Sequence, residues 1–232
     1  MAQDKTSHDC SMTRLKDEEK AVLLARAAEA AGRYNDMKQH MQDRAALASP
    51  LSGEERDLLY VAFKAVLSNL RRTAEVAAAA SQSQEVKQSP NLAALAEAYE
   101  VKARAEIADL CEEAVSLLGN LLNKAQAGEP RAFFLKMQGD YYRYICEFAK
   151  GENPKKQAAK KAKHAYCDGI EEAGQHLLPC HPMSLALALN FAVLQSEVLS
   201  DLQGAITTAR RAIEDASTDL DAVTEDVYRD VA

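Results

Sequence analysis

Charged and polar side chains recur in this chain at helical spacing, and three such stripes could hold an anion. Lys64 and Arg71 stand seven residues apart, two helical turns, so both project from one side of a helix. Lys136, Asp140, Arg143 and Glu147 descend a second helix at i, i+4, i+7 and i+11, and Asn190, Val193 and Glu197 align on a third. Ammonium and guanidinium groups on a common face suit an anion, the guanidinium because its fork of N–H donors meets two oxygens at once. The same spacing fits a plainer arrangement, in which the second stripe is an exposed ion-pair ladder of roughly 0.2–0.5 kcal/mol per pair. Lys64 and Arg71 would then be ordinary surface cations. Periodicity does not choose between the two.

Other chemistry finds little support. There is no Gly-rich phosphate loop, no G-x-S-x-G and no HExxH, so no catalytic residue, enzymatic activity or cofactor is expected. His176, Cys180 and His181 gather near one turn, but their spacing matches no familiar zinc pattern, and no metal is expected. A net charge of −7 argues against nucleic acid or an anionic membrane as the partner, since both reward a basic footprint. The one basic cluster, Lys155, Lys156, Lys160, Lys161 and Lys163, has no interleaved aromatic residues for base stacking. Glu171 and Glu172 follow it, and a solvated helix face is expected.

The elements that position these stripes are helices. Ala, Leu, Glu, Lys, Gln and Arg dominate, Gly numbers only 9 and Pro 6, and β-branched runs are missing, which predicts an all-α fold. The periodicity places helices near 17–32, 34–48, 53–80, 91–126, 130–149, 154–176, 181–199 and 201–220, with a ninth beginning at Thr224. Ser52-x-x-Glu55 forms a capping box, and Pro130 and Pro154 each follow a Gly at a helix start. On 53–80, with Leu58 as origin and 100° per residue, Leu58, Leu59, Ala62, Phe63, Val66 and Leu70 fall within roughly 0–140°, a core face. Tyr60, Arg71, Lys64 and Asp57 fall within roughly 200–260°, on the opposite side. Tyr141 is placed in the core by its spacing and Tyr144 on the stripe side.

Five cysteines without a CxxC pair suit free thiols in a reducing compartment. No segment approaches the roughly 18 apolar residues of a membrane span, and residues 1–17 are polar, without the apolar stretch of a secretory signal. The expectation is a flexible tail over 1–17, one helical domain over 18–232, and a soluble cytoplasmic protein with access to the nucleus.

Four collinear blocks resemble the 14-3-3 family. Phe133-Phe134-Leu135-Lys136-Met137-Gln138-Gly139-Asp140-Tyr141-Tyr142-Arg143-Tyr144 is similar to its F-Y-x-K-M-x-G-D-Y-Y-R-Y run. Arg33-Tyr34-Asn35-Asp36-Met37 resembles E-R-Y-D-D-M, and Arg56–Lys64 resembles R-N-L-L-S-V-A-Y-K. His181-Pro182 with Leu187-Ala188-Leu189-Asn190-Phe191 resembles H-P-I-R-L-G-L-A-L-N-F. The resemblance implies a concave cup of antiparallel helices that dimerises through its N-terminal helices and binds phosphoserine or phosphothreonine segments of client proteins. By the same resemblance Lys64, Arg71, Arg143 and Tyr144 hold the phosphate, and Lys136, Leu189, Asn190, Val193 and Glu197 line the peptide groove. Asp140 and Glu147 would orient the arginines. Arg33, Asp36, Tyr99, Lys102 and Glu106 match interface positions of a homodimer, with Arg33 meeting Glu106 and Asp36 meeting Lys102 across the two-fold.

The chain also departs from the family pattern. Arg71 and Arg72 stand seven and eight residues after Lys64 where the family pair stands at six and seven, and helix geometry favours Arg71 as the ligand. Glu75 stands where the family usually has a base, and Asp57 replaces an Asn, so the groove is less positive. There is no Trp, and Tyr228-Arg229-Asp230 resembles the start of a final helix expected to be truncated at Ala232. A phosphate-independent helical scaffold of the same fold is therefore the alternative function.

Overall fold

A computed structural model describes the backbone of residues 4–83, 89–149 and 151–220, and the side chains of 17–83, 89–149 and 151–218. Among them are eight helices and no strand: α1 (Asp4–Ala30), α2 (Tyr34–Ala46), α3 (Gly53–Gln82), α4 (Pro90–Leu122), α5 (Glu129–Phe148), α6 (Glu152–His176), α7 (Pro182–Glu197) and α8 (Leu202–Leu220). The all-α expectation holds, with most ends within two residues of those expected. Two ends move further: α4 stops at Leu122 and α1 begins at Asp4, well before the expected residue 17. Its first turns read as polar, but they contain no Pro or Gly, so nothing in the chain interrupts a helix there. The expected helix from Thr224 lies outside the described residues.

Two compact units divide the chain, 1–110 and 111–232, with the boundary inside α4. In the first, α1, α2 and α3 pack through Ala25, Met37, Met41, Leu59, Ala62 and Phe63, all without solvent exposure. Ser52 starts α3 as its sequence predicts: its Oγ accepts from the Glu55 N–H at 3.3 Å, and Glu55 Oε2 accepts from the Ser52 N–H at 2.7 Å. The same Glu55 receives Arg44 of α2 in a fork, Nε to Oε1 at 2.6 Å and Nη2 to Oε2 at 2.9 Å. Arg44 is itself buried and also donates to the Ser49 and Pro50 carbonyls. One glutamate thus caps α3 and ties it to α2.

In the second unit, α5 lies along α6, α6 along α7, and α7 along α8. Small residues set the approach: α6 turns Ala158, Ala159, Ala162, Ala165, Gly169 and Ala173 inward, with Tyr166 as the one large side chain among them. A Cβ on Gly139 of α5 would lie 2.7 Å from the Tyr166 ring, so only glycine admits that ring. Gly128 precedes α5 with φ 94°, a conformation costly for other residues, and its N–H donates to Glu172 Oε1 at 2.6 Å. His181 caps α7, Nδ1 accepting from the Met183 N–H at 3.1 Å. No described helix is long and apolar enough to cross a membrane.

Candidate functional site

The polar centre of the second unit is built on Asp140, whose carboxylate is only 3% exposed. Helix α5 presents Lys136 one turn earlier, and its Nζ meets Asp140 Oδ2 at 2.9 Å. Tyr166 of α6 donates its hydroxyl to Asp140 Oδ1 at 2.5 Å. Asn190 of α7 donates Nδ2 to the same oxygen at 2.8 Å. Three donors from three helices therefore compensate one buried negative charge. Burial raises the Tyr166 hydroxyl pKa far above the ordinary range, and the adjacent Asp140 charge and hydrogen bond add to it. Tyr166 stays a donor at every physiological pH.

Arg143, one turn beyond Asp140, is the cation of this centre. Its side chain is 17% exposed, its guanidinium lies 4.7 Å over the Tyr144 ring, and Glu197 of α7 approaches at 3.8 Å, too far for a hydrogen bond. Its Nε is buried with no hydrogen-bond partner. Burial lowers its pKa, but the Tyr166, Tyr144 and Asp140 oxygens more than offset this, and the net shift is upward, so it stays charged. Asn190 and Val193 are half-buried, whereas Leu189 is exposed, as is Glu197 at 63%. Lys136, Arg143, Tyr144, Asn190 and Glu197 are thus brought onto one region of α5 and α7.

In the first unit, Asp57, Lys64 and Glu75 are exposed on α3, while Tyr60 and Arg71 are half-buried. Lys64 Nζ lies 5.2 Å over the Tyr60 ring. The core face of this helix is as expected, with Leu58, Leu59, Ala62, Phe63 and Val66 buried. Among the expected interface residues, Arg33 pairs with Asp36 three residues on, and Lys102 with Glu106 at 3.9 Å four residues on. Tyr99 is exposed.

Asp140 directs its oxygens to Lys136, Tyr166 and Asn190 while its charge favours the protonated Arg143, and the Glu197 carboxylate stands 3.8 Å from Arg143. Tyr166 and Arg44 escaped the sequence reading. The signal for Tyr166 was a single tyrosine on an alanine face, since a buried hydroxyl needs a partner. The five clustered lysines of α6 are solvent-exposed, as expected. Among the described residues no group of His, Cys, Asp and Glu could hold a metal, and Cys111, Cys146, Cys167 and Cys180 form no disulfide.

Comparison with known proteins decides the kinship. Residues 24–232 match the family described as 14-3-3 protein. The chain belongs to the 14-3-3 family. It is 39% identical over 213 residues to a 14-3-3 protein homolog of Candida albicans, covering 91% of this chain and 80% of that one. It is 36% identical to 14-3-3 protein 3 of Entamoeba histolytica, covering 91% and 88%. The checkpoint signal transducer rad25 of Schizosaccharomyces pombe is 37% identical, with 91% and 78% covered. Membership supports an adaptor role in signalling for this 14-3-3 protein.

Proposed function

We propose that this protein binds phosphoserine or phosphothreonine segments of client proteins in an amphipathic groove and, as a homodimer, bridges or sequesters them. The observation that carries the reading is Arg143: a mostly buried guanidinium that stays charged, with its Nε without a hydrogen-bond partner and the Glu197 carboxylate at 3.8 Å, beyond hydrogen-bond distance. A charged guanidinium with a donor still unused favours an incoming anion, and phosphate brings roughly −1.5 to −2 charge with three acceptor oxygens. Arg143 and Tyr144 would bind the phosphate together with Lys64 and Arg71, the latter two assigned by the family resemblance. Lys136, Leu189, Asn190, Val193 and Glu197 would hold the peptide, Asn190 through the amide hydrogen and carbonyl oxygen that Asp140 leaves available. Arg33, Asp36, Tyr99, Lys102 and Glu106 would exchange their local pairs for contacts with a second copy. Exposed pairs of this kind contribute at most about 1 kcal/mol each and set register more than affinity. The protein would act in the cytoplasm and nucleus, without nucleic acid, membrane, metal or cofactor.

Fluorescence polarisation of one peptide in phosphorylated and unphosphorylated form tests this. The phosphorylated form is expected to bind at least about tenfold tighter, from two or more charge-assisted hydrogen bonds. Equal affinity rejects the reading. Arg143→Ala should abolish the difference, and a surviving preference overturns the site assignment. A phosphate-independent scaffold is the second reading, favoured by the exposed acids Asp57 and Glu75 on α3. It expects tight binding of both peptides.

A further inference from the structure

On the side of α7 opposite Asn190, Val193 and Glu197 lies a cavity of about 410 Å³, bounded by α6, α7 and α8. Counted from Leu189 at about 100° per residue, those three residues fall at about 40–100°, and Ser184, Ala188 and Phe191 of the cavity wall at about 200–260°. Helix α6 contributes Ile170, Ala173, Gly174 and Leu177, at i, i+3, i+4 and i+7. Helix α8 contributes Thr208, Arg211, Ala212 and Asp215 at the same spacing. The walls from α6 and α7 are thus mainly apolar, and the wall from α8 is mainly polar. The floor is fixed: Ala173 belongs to the buried core, Leu177 and Phe191 pack against it, and the Phe191 ring stands 6.3 Å from that of Tyr166.

Gly174 keeps the cavity open. A Cβ there would meet nothing within 4 Å, whereas one on Gly139 or Gly169 would lie 2.7 Å from a neighbouring side chain. Its backbone is helical, so neither close packing nor a positive φ requires glycine, the less favourable choice in a helix. Ser184 is likewise small where the family run H-P-I-R has Arg. The polar atoms around the cavity are mostly acceptors. The Ser184 hydroxyl donates to the Leu178 carbonyl at 3.0 Å and the Thr208 hydroxyl to Gln195 Oε1 at 2.8 Å, which leaves both with lone pairs only. Asp215 accepts as well, and Arg211 Nε approaches it at 3.5 Å, a loose pairing of two exposed side chains. Among the described side chains of this wall, Arg211 alone has hydrogens left to donate, and it turns toward Asp215.

We infer that this cavity binds a small molecule with a ring-sized apolar body and a primary ammonium head, separately from the proposed phosphate groove. Its volume lies within the roughly 300–1,000 Å³ of small-ligand pockets, and apolar walls with a few placed polar groups are their usual make-up. The body lies against Leu177, Ala188 and Phe191, in the space beside Gly174. The ammonium brings three donors to a rim that offers Ser184, Thr208 and Asp215 as acceptors, and it balances a carboxylate that Arg211 holds only loosely. A carboxylate head would instead face Asp215 and the same lone pairs. The site does not depend on the phosphate-binding reading.

Isothermal titration of the full chain with naphthylethylamine, naphthylethanol and naphthylacetate compares three heads on one body. The amine is expected to bind about three- to tenfold tighter than the alcohol, and the carboxylate most weakly, within the range of a partly exposed charged contact. Gly174→Leu fills the cavity and should weaken the amine and the alcohol at least about tenfold, with Tm unchanged or raised because Leu favours the helix. Asp215→Asn should abolish the preference for amine over alcohol and leave the affinity of the alcohol in place. No binding of the amine, tightest binding of the carboxylate, or affinity undiminished in Gly174→Leu overturns the inference, and none of these bears on phosphopeptide binding. Should Gly174→Leu lower Tm, Gly174→Ala takes its place with a smaller loss expected, and undiminished affinity there counts equally against the site.

Discussion

In the first unit Glu55 is met by a forked guanidinium from Arg44 and by the Ser52 N–H, and Arg44 also donates to two carbonyls. In the second unit Asp140 collects Lys136, Tyr166 and Asn190, of which Asn190 reaches a half-buried position with hydrogen-bonding capacity left over. Both carboxylates draw donors from their own helix and from a neighbouring one. The difference lies in what remains. Around Glu55 the donors turn inward to backbone and carboxylate oxygens, so the arrangement locks α2 to α3. Around Asp140 the carboxylate serves as a shared anchor for side chains of three helices, next to an arginine whose Nε has no partner. A closed polar cluster stabilises, and an open one can also bind.

Breaking the closed cluster should have the largest effect on folding. Arg44→Ala leaves the half-buried Glu55 without its cation and should cost about 2–3 kcal/mol, read as a lowered denaturant midpoint. Acid should reproduce part of this loss. Burial alone would raise the Glu55 pKa, but Arg44 and the Ser52 N–H outweigh it and hold it below the ordinary carboxylate value. The depressed value means that Glu55 contributes stability above its unfolded pKa and loses that contribution as pH falls through the folded one. In Arg44→Ala the acid-induced fall in Tm over that window should be smaller. An unchanged pH profile would show that the pair does not carry it.

Opening the second cluster further should trade less stability for more function. Asp140→Asn keeps the shape but points an amide N–H₂ at either the Lys136 ammonium or the Tyr166 and Asn190 donors. A loss of about 2 kcal/mol is expected in denaturant unfolding, together with weaker binding of the phosphopeptide. If binding is unaffected, the cluster is as purely structural as that of Glu55. Tyr166→Phe is the milder probe, removing one donor from Asp140 at about 1.5 kcal/mol. A double-mutant cycle with Asn190→Ala on peptide affinity separates positioning from packing. If Tyr166 acts by holding the Asn190 amide, its effect on affinity should vanish once Asn190 is alanine. Additive losses would break the comparison.

Much of this molecule is local, and that part is legible in the chain. Helix period, the Ser52–Glu55 capping box and the buried face of α3 depend on residues a few positions apart, whose geometry the backbone dictates. The start of α1 at Asp4 was not legible, because polar composition does not by itself stop a helix and residues 4–17 hold no Gly or Pro. The charges on α5 were visible, but two arrangements fitted them equally, since an ion-pair ladder and a binding face have the same period. Which donors reach Asp140 depends on bringing residues 136, 140, 166 and 190 together from three helices, and that is a matter of packing. Alanines on α6 and the missing Cβ of Gly139 let Tyr166 approach, and no spacing rule specifies that partner. Local periodicity determined which side chains share a face; only the tertiary approach of α5, α6 and α7 decided which of them stay buried as anchors and which are left to bind.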